Sequence, residues 1–238
     1  MKIIKGSTIT TVAGIKVPPY YRDKKMVSKY LKSLKNQDYP NERILVDYGS
    51  DEESLKWIRE ITKKTETKLI EVKRDTEIWR EGRAINIGIK ASNTKYILLT
   101  SADIIYDKNF IWEVVNILNK KKSVVRCRQT DLNTDGTILK QYHSSSAMGS
   151  CMGLYKDWLM KVHGYDENFK GWGLVDCDLF LRAQADGLVV EWITGKAEMY
   201  HQWHPEASKK ELGHNIEYIN ERDSGRPIVR NLEGWGEV

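Results

Sequence analysis

A chain of 238 residues, 40% hydrophobic and 30% charged, has the composition of a globular protein and the length for one large domain or two small ones. No apolar run approaches the roughly 20 residues that cross a bilayer, and Met1-Lys2-Ile3-Ile4-Lys5-Gly6 lacks the apolar core of a signal peptide, so the expected compartment is the cytoplasm. Cys127, Cys151 and Cys177 show no paired spacing, which argues against a disulfide framework or a zinc knuckle, and the net charge of +5 leaves a polyanionic partner open.

In chain order, Ile9 to Val17 reads as a strand interrupted by Gly14 and ended by Pro18-Pro19-Tyr20-Tyr21-Arg22. Asp23 then caps a helix whose apolar face is Met26, Val27, Tyr30, Leu31 and Leu34. Arg43 to Asp47 is a second strand, closed by the turn Tyr48-Gly49-Ser50. Ser50 and Glu53 form a capping box for a helix burying Leu55 and Ile58. Lys68 to Val72 is a third strand, and this alternation predicts a parallel sheet with crossover helices.

A helix begins at Glu81 with Ala84, Ile87 and Ala91 on one face. The apolar run Lys95 to Thr100 reads as a strand buried on both sides, ending at Ser101-Ala102-Asp103. Ligands of open α/β sheets bind beyond the carboxyl ends of strands, which is where Asp103 falls. Phe110 to Leu118 is a helix, Ser123 to Arg128 a strand, and Asn133-Thr134-Asp135-Gly136 a hairpin turn. Gln141 to Ser146 reads as a loop beside a cleft, and Gly149 to Tyr155 as a short strand.

In Lys170-Gly171-Trp172-Gly173-Leu174-Val175-Asp176, two glycines permit a tight turn carrying a large ring. Val175, Leu179 and Ala183 then form a helical stripe, which puts Asp176 in the first turn, about 100° away from it. The positive end of the helix favours an ionised carboxylate there, as a catalytic base needs. Asp178, roughly 200° from Asp176, faces elsewhere. Leu188 to Trp192 is a strand. His201 and His204, on an extended segment, are each able to ligate a metal. The tail from Glu206 to Val238 is polar and glycine-containing, a composition suited to a lid.

The stretch from Gly164-Tyr165-Asp166-Glu167-Asn168-Phe169 through Gly171-Trp172-Gly173 to Asp176 and Arg182 resembles the acceptor-side signature of GT-A glycosyltransferases. The nearest types are family 2 enzymes, chondroitin-polymerase domains and β-1,4-galactosyltransferases. Val17-Pro18-Pro19-Tyr20-Tyr21-Arg22, Ser33-Leu34-Lys35-Asn36-Gln37-Asp38-Tyr39-Pro40 and Asp47-Tyr48-Gly49-Ser50 resemble family 2 segments as well. Tyr200-His201-Gln202-Trp203-His204-Pro205 resembles the Tyr-His-Gln-x-x-Pro string of the chondroitin-polymerase type.

The resemblance implies an α/β GT-A fold, Rossmann-like, with a mostly parallel central sheet and flanking helices. It implies one domain over 1–238, with a nucleotide-binding half to about 105, an acceptor half over about 106–204 and a tail or lid over 205–238. It implies transfer of a hexose or N-acetylhexosamine, with inversion, from a nucleoside diphosphate sugar (a UDP-sugar foremost) to an acceptor hydroxyl. Asp176 is then the base, and Asp103 binds Mn²⁺ or Mg²⁺ with His201, His204 standing in reserve. Pro18, Tyr20, Arg22, Arg83, Asn86, Ser101 and Ala102 line the donor site. Tyr48 replaces the Asp that usually holds the base, so either Tyr48 stacks on it or Asp47 serves. Gly171, Trp172 and Gly173 meet the acceptor, whether glycan, lipid-linked precursor, protein or modified nucleic acid. Some retaining GT-A transferases also carry Gly-Trp-Gly before this helix, which makes a retaining transferase one rival reading, and the departures at Tyr48, Ala102 and Val175 from the family pattern make a non-catalytic binding protein another.

Overall fold

The structure, a computed structural model, describes residues 6, 8–17, 23–73, 78–141, 151–206, 208–222, 227–231 and 233–238. Strands β1 (Ile9–Ile15), β2 (Glu42–Tyr48), β3 (Lys68–Val72) and β4 (Tyr96–Thr100) alternate with helices α1 (Lys24–Lys35), α2 (Glu52–Lys64) and α3 (Glu81–Ala91). These four strands pair in parallel, in the spatial order β4-β1-β2-β3. Next come β5 (Ile104–Tyr106), α4 (Phe110–Leu118), β6 (Ser123–Arg126), β7 (Gln129–Leu132), β8 (Ile138–Gln141) and β9 (Cys151–Tyr155). The chain continues through α5 (Lys156–Lys161), α6 (Val175–Ala185), β10 (Val189–Trp192), β11 (Met199–His201) and α7 (Leu212–Arg222). Antiparallel β9 joins β4 to the parallel pair β6–β10, completing a seven-stranded sheet.

Helices cover both faces of this sheet, so two apolar clusters form. One holds Val27, Tyr30, Leu31 and Leu34 of α1 with Ile58 of α2 and Phe110 of α4; the other holds Ile85 and Ile87 of α3, Leu159 of α5 and Leu179 of α6. Every residue of β4 is buried, as its unbroken apolar run predicts. Asp23 caps α1 through its side chain and the Met26 N–H at 2.7 Å. The cap of α2, however, is Asp51, which accepts from the Ser54 N–H at 2.7 Å. Ser50, the expected cap, sits one residue too early: its hydroxyl accepts from the Val17 N–H at 2.8 Å and donates to Asp47, tying the ends of β1 and β2 together.

A second sheet of four strands, β5-β11-β7-β8, is built at the edge where β4 ends. β11 lies between β5, to which it is antiparallel, and β7, to which it is parallel. The Asn133–Gly136 turn joins β7 to β8 as expected, closed by a 2.7 Å bond from the Asn133 N–H to the Thr137 carbonyl. The tail holds a three-turn helix, α7, and a buried Trp235, which its polar composition did not foretell.

Candidate active site

The β5-β11-β7 ladder assembles a cluster of side chains that could hold a metal ion. In its register His201 stands opposite Ile104 on one side and Asp131 on the other, and the Gln202 N–H bonds the Asp103 carbonyl at 3.0 Å. Asp103, His201 and His204 thereby bring one ligand atom each within 4.8 Å of one another. Asp103 is buried to 2% exposure, and His204 Nε2 lies 3.6 Å from its Oδ2.

The imidazole tautomers are readable from their outer partners. His201 Nδ1 lies 3.1 Å from Asp131 Oδ1, and His204 Nδ1 lies 2.7 Å from the Pro205 carbonyl, so each Nδ1 carries the proton. The two Nε2 atoms then present lone pairs to one another at 3.1 Å. Two neutral acceptors gain nothing at that distance, whereas two ligands about 2.1 Å from one ion and at right angles to each other are about 3.0 Å apart. The residues fit a divalent cation. Asp131 was not singled out in the sequence; no local pattern marks an outer-shell carboxylate on a strand 70 residues before its histidine.

A cavity of about 450 Å³ opens beside His204, with Lys25, Lys29, Met26, Asn133 and Trp203 among its walls. Val17, two residues beyond β1, also reaches it. Pro18, Tyr20 and Arg22 lie outside the described residues.

Several expected donor-site residues turn inward instead. Tyr48 is fully buried, its ring 5.9 Å from that of Trp79 and edge-on, so it offers no face to a nucleobase. Alternation along β2 aims it into the core. Ala102 is also at 0% exposure, packed in the apolar cluster of α1 and α4. Asn86 is buried on α3, donating to the Tyr165 carbonyl at 2.8 Å and to Glu167 at 2.9 Å while accepting from the Tyr165 N–H at 2.8 Å. It clamps a turn and does not face a diphosphate. Ser101 donates to Asp103 Oδ2 at 3.3 Å, and Arg83 is half-buried on α3. Asp47, at 1% exposure, has its carboxyl pushed up by burial, which hydrogen bonds from Ser50 and Gly49 oppose.

On the acceptor side, Gly171-Trp172-Gly173 leads directly into α6. Gly171, Gly173 and Leu174 all have positive φ, +59°, +104° and +71°. A Cβ on Gly173 would meet Leu212 Cδ1 at 2.9 Å, a contact the leucine side chain can relieve by shifting, so it is the +104° conformation that calls for glycine there. Trp172 is 44% exposed at the tip. The backbone carbonyl of Trp79 anchors the loop by accepting from the Gly171 N–H at 2.9 Å.

Asp176 stands half-buried in the first turn of α6. The protein packed around its carboxyl pushes it up from the usual carboxylate range, opposed by backbone N–H groups at the helix start and by the Arg126 cation. Burial therefore outweighs the helix end. Arg126, at the carboxyl end of β6, is itself buried, with its guanidinium 5.0 Å from the Phe180 ring and 5.8 Å from that of Trp192. Asp178 faces the opposite way, as helix geometry requires. It bonds Arg182 at 2.8 Å and Arg230 at 3.2 Å, and Arg230 also lies 3.5 Å from Asp166. The Gly-Tyr-Asp-Glu segment is thus scaffolding under α6.

Solved structures share this architecture. TarS 1-349 of S. aureus matches with a TM-score of 0.65 at 16% identity over 89% of this chain and 64% of its own. Mannosyltransferase PcManGT from Pyrobaculum calidifontis, solved with GDP-Man and Mn²⁺, gives 0.64 at 14% identity over 92% of this chain and 66% of its own. GalNAc-T7, solved with UDP, GalNAc and Mn²⁺, gives 0.68 at 13% identity over 90% and 48%. The chain thus spans less than two thirds of the length of these proteins. No curated protein matches the sequence. A profile of Glycosyl transferase family 2 matches residues 17–185, most of the chain, and the protein belongs to that family.

Proposed function

We propose that this protein is a metal-dependent, inverting glycosyltransferase that moves a hexose or N-acetylhexosamine from a nucleoside diphosphate sugar to an acceptor hydroxyl. The observation that carries the reading is the trio Asp103, His201 and His204 with its converging Nε2 atoms. Two imidazoles among three ligands suit Mn²⁺ better than Mg²⁺, which prefers oxygen. An ion held there supplies charge neutralisation to a departing diphosphate. The neighbouring structures solved with UDP-GlcNAc, GDP-Man and UDP with GalNAc support a nucleotide-sugar donor. The cavity beside His204, with Lys25 and Lys29 in its wall, has room and charge for one.

Asp176 takes the proton from the attacking acceptor hydroxyl at its carboxylate oxygen. A base on the face opposite the leaving group makes the displacement single and in line, which inverts the anomeric carbon. Trp172 offers an acceptor ring an apolar face. The test is a screen of UDP- and GDP-sugars with Mn²⁺, read by release of the nucleoside diphosphate. Wild type is expected to turn over one of them. Asp103→Ala is expected to lose metal-dependent cleavage, and Asp176→Asn to bind the donor while losing at least about 10²-fold in transfer. Absence of binding or cleavage of every donor by wild type would overturn the reading.

A further inference from the structure

The Gly171–Leu174 loop stores backbone strain, since Leu174 has a Cβ at φ +71°. Such a conformation persists only where its surroundings over-determine it. Besides the Trp79 carbonyl, which holds the Gly171 N–H, the surroundings here include one side chain more than 40 residues later. Asn215 on α7, fully buried, accepts from the Lys170 N–H at 3.0 Å through Oδ1. Its Nδ2 donates to the carbonyls of Lys170 at 2.8 Å, Gly173 at 3.0 Å and, more weakly, Trp172 at 3.3 Å. A single amide thus holds both ends of the Trp172 turn. The segment around it closes on the same loop: Glu211 and Leu212 pack against Gly171 and Gly173, and the Lys209 ammonium lies 6.0 Å over the Trp172 ring. Lys209, Glu211, Leu212 and Asn215 fall outside the family-matched part of the chain, 17–185.

We propose that Asn215 is a positioning residue of the acceptor site, and that the α7 segment completes this site by fixing Trp172 relative to the start of α6. The inference rests on the transferase reading above. Asn215→Asp keeps the shape and the acceptor oxygen but turns a carboxylate toward three carbonyls; Asn215→Ala removes the clamp without adding charge.

Both variants are compared with wild type by ¹⁹F NMR after 5-fluorotryptophan labelling, with the Trp172 signal assigned through Trp172→Phe and exposed Trp112 on α4 as a distant reporter. The expected result is a shifted or broadened Trp172 signal beside an unchanged Trp112. With the donor found in the screen and a panel of p-nitrophenyl glycosides as acceptors, the acceptor KM is expected to rise about tenfold or more. Metal-dependent donor hydrolysis without acceptor should stay within about twofold. An unchanged Trp172 signal with an unchanged acceptor KM overturns the proposal. Equal loss of hydrolysis and transfer, with Trp112 also shifted, overturns it too, because Asn215 would then serve only the fold. Should wild type cleave no donor, the transferase reading fails by itself, and an unmoved Trp172 signal still refutes the clamp.

Discussion

The metal-binding edge and the acceptor loop meet the same requirement, holding a few side chains in place, by opposite means. At the metal edge a β-ladder does the work. His201 stands between Ile104 and Asp131 because β11 pairs with β5 and β7 in that register, and the backbone bonds of three strands would have to shift to misplace it. The proposed acceptor loop has, among the described residues, no ladder beyond a single bridge between Arg80 and Gly171. Its shape depends on positive φ angles, on the Asn215 side chain and on the backbone carbonyl of Trp79. A site built on strand register is held by many backbone bonds at once. One held by a few clamps yields to single substitutions, and its failure is expected in acceptor use before donor use.

The largest effect that tests this contrast is on the metal side. Asp131→Ala leaves all three ligands in place but frees the His201 ring to turn, and should weaken Mn²⁺ binding by roughly 10–100-fold, measured by electron paramagnetic resonance. A change below about threefold would mean that the ladder alone orients the histidine. Gly173→Ala comes next. A Cβ at φ +104° and 2.9 Å from Leu212 is expected to cost about 1–3 kcal/mol in thermal or urea unfolding, with transfer falling more than donor hydrolysis. Equal falls would remove the distinction between the two regions.

The smallest expected effect is on pH dependence. Because burial raises the Asp176 carboxyl, the proposed base loses its charge at a higher pH than an exposed aspartate would. The ratio of transfer to metal-dependent donor hydrolysis should therefore rise with pH and fall as pH drops through that raised value. Arg126→Met, which deletes the opposing cation, should move this limb to higher pH; a move to lower pH would contradict the electrostatics described for Asp176.

Local periodicity made the alternating strands and helices legible. The stripe Met26, Val27, Tyr30, Leu31 and Leu34 is buried as read, and the apolar run before Asp103 is a central strand. Motif spacing was enough to single out Asp103, His201, His204 and Asp176, because strand ends and helix starts are set within a few residues of chain. What it could not reveal was where side chains point once elements pack. Tyr48 and Ala102 stand at expected donor positions but belong to the core, and Asn86 spends its amide on the Tyr165 turn 79 residues away. Asn215, the histidine orienter Asp131 and the Arg230 pairing under α6 are contacts between distant parts of the chain. A buried amide or carboxylate has the same local sequence signature as a solvated one. The sequence by itself determined the alternating strands and helices of the first half and the family, and it put forward the candidate site residues. Only the tertiary structure decided which polar groups face the site and which hold it in shape, because hydrogen bonding between residues dozens of positions apart exists only after the sheet has formed.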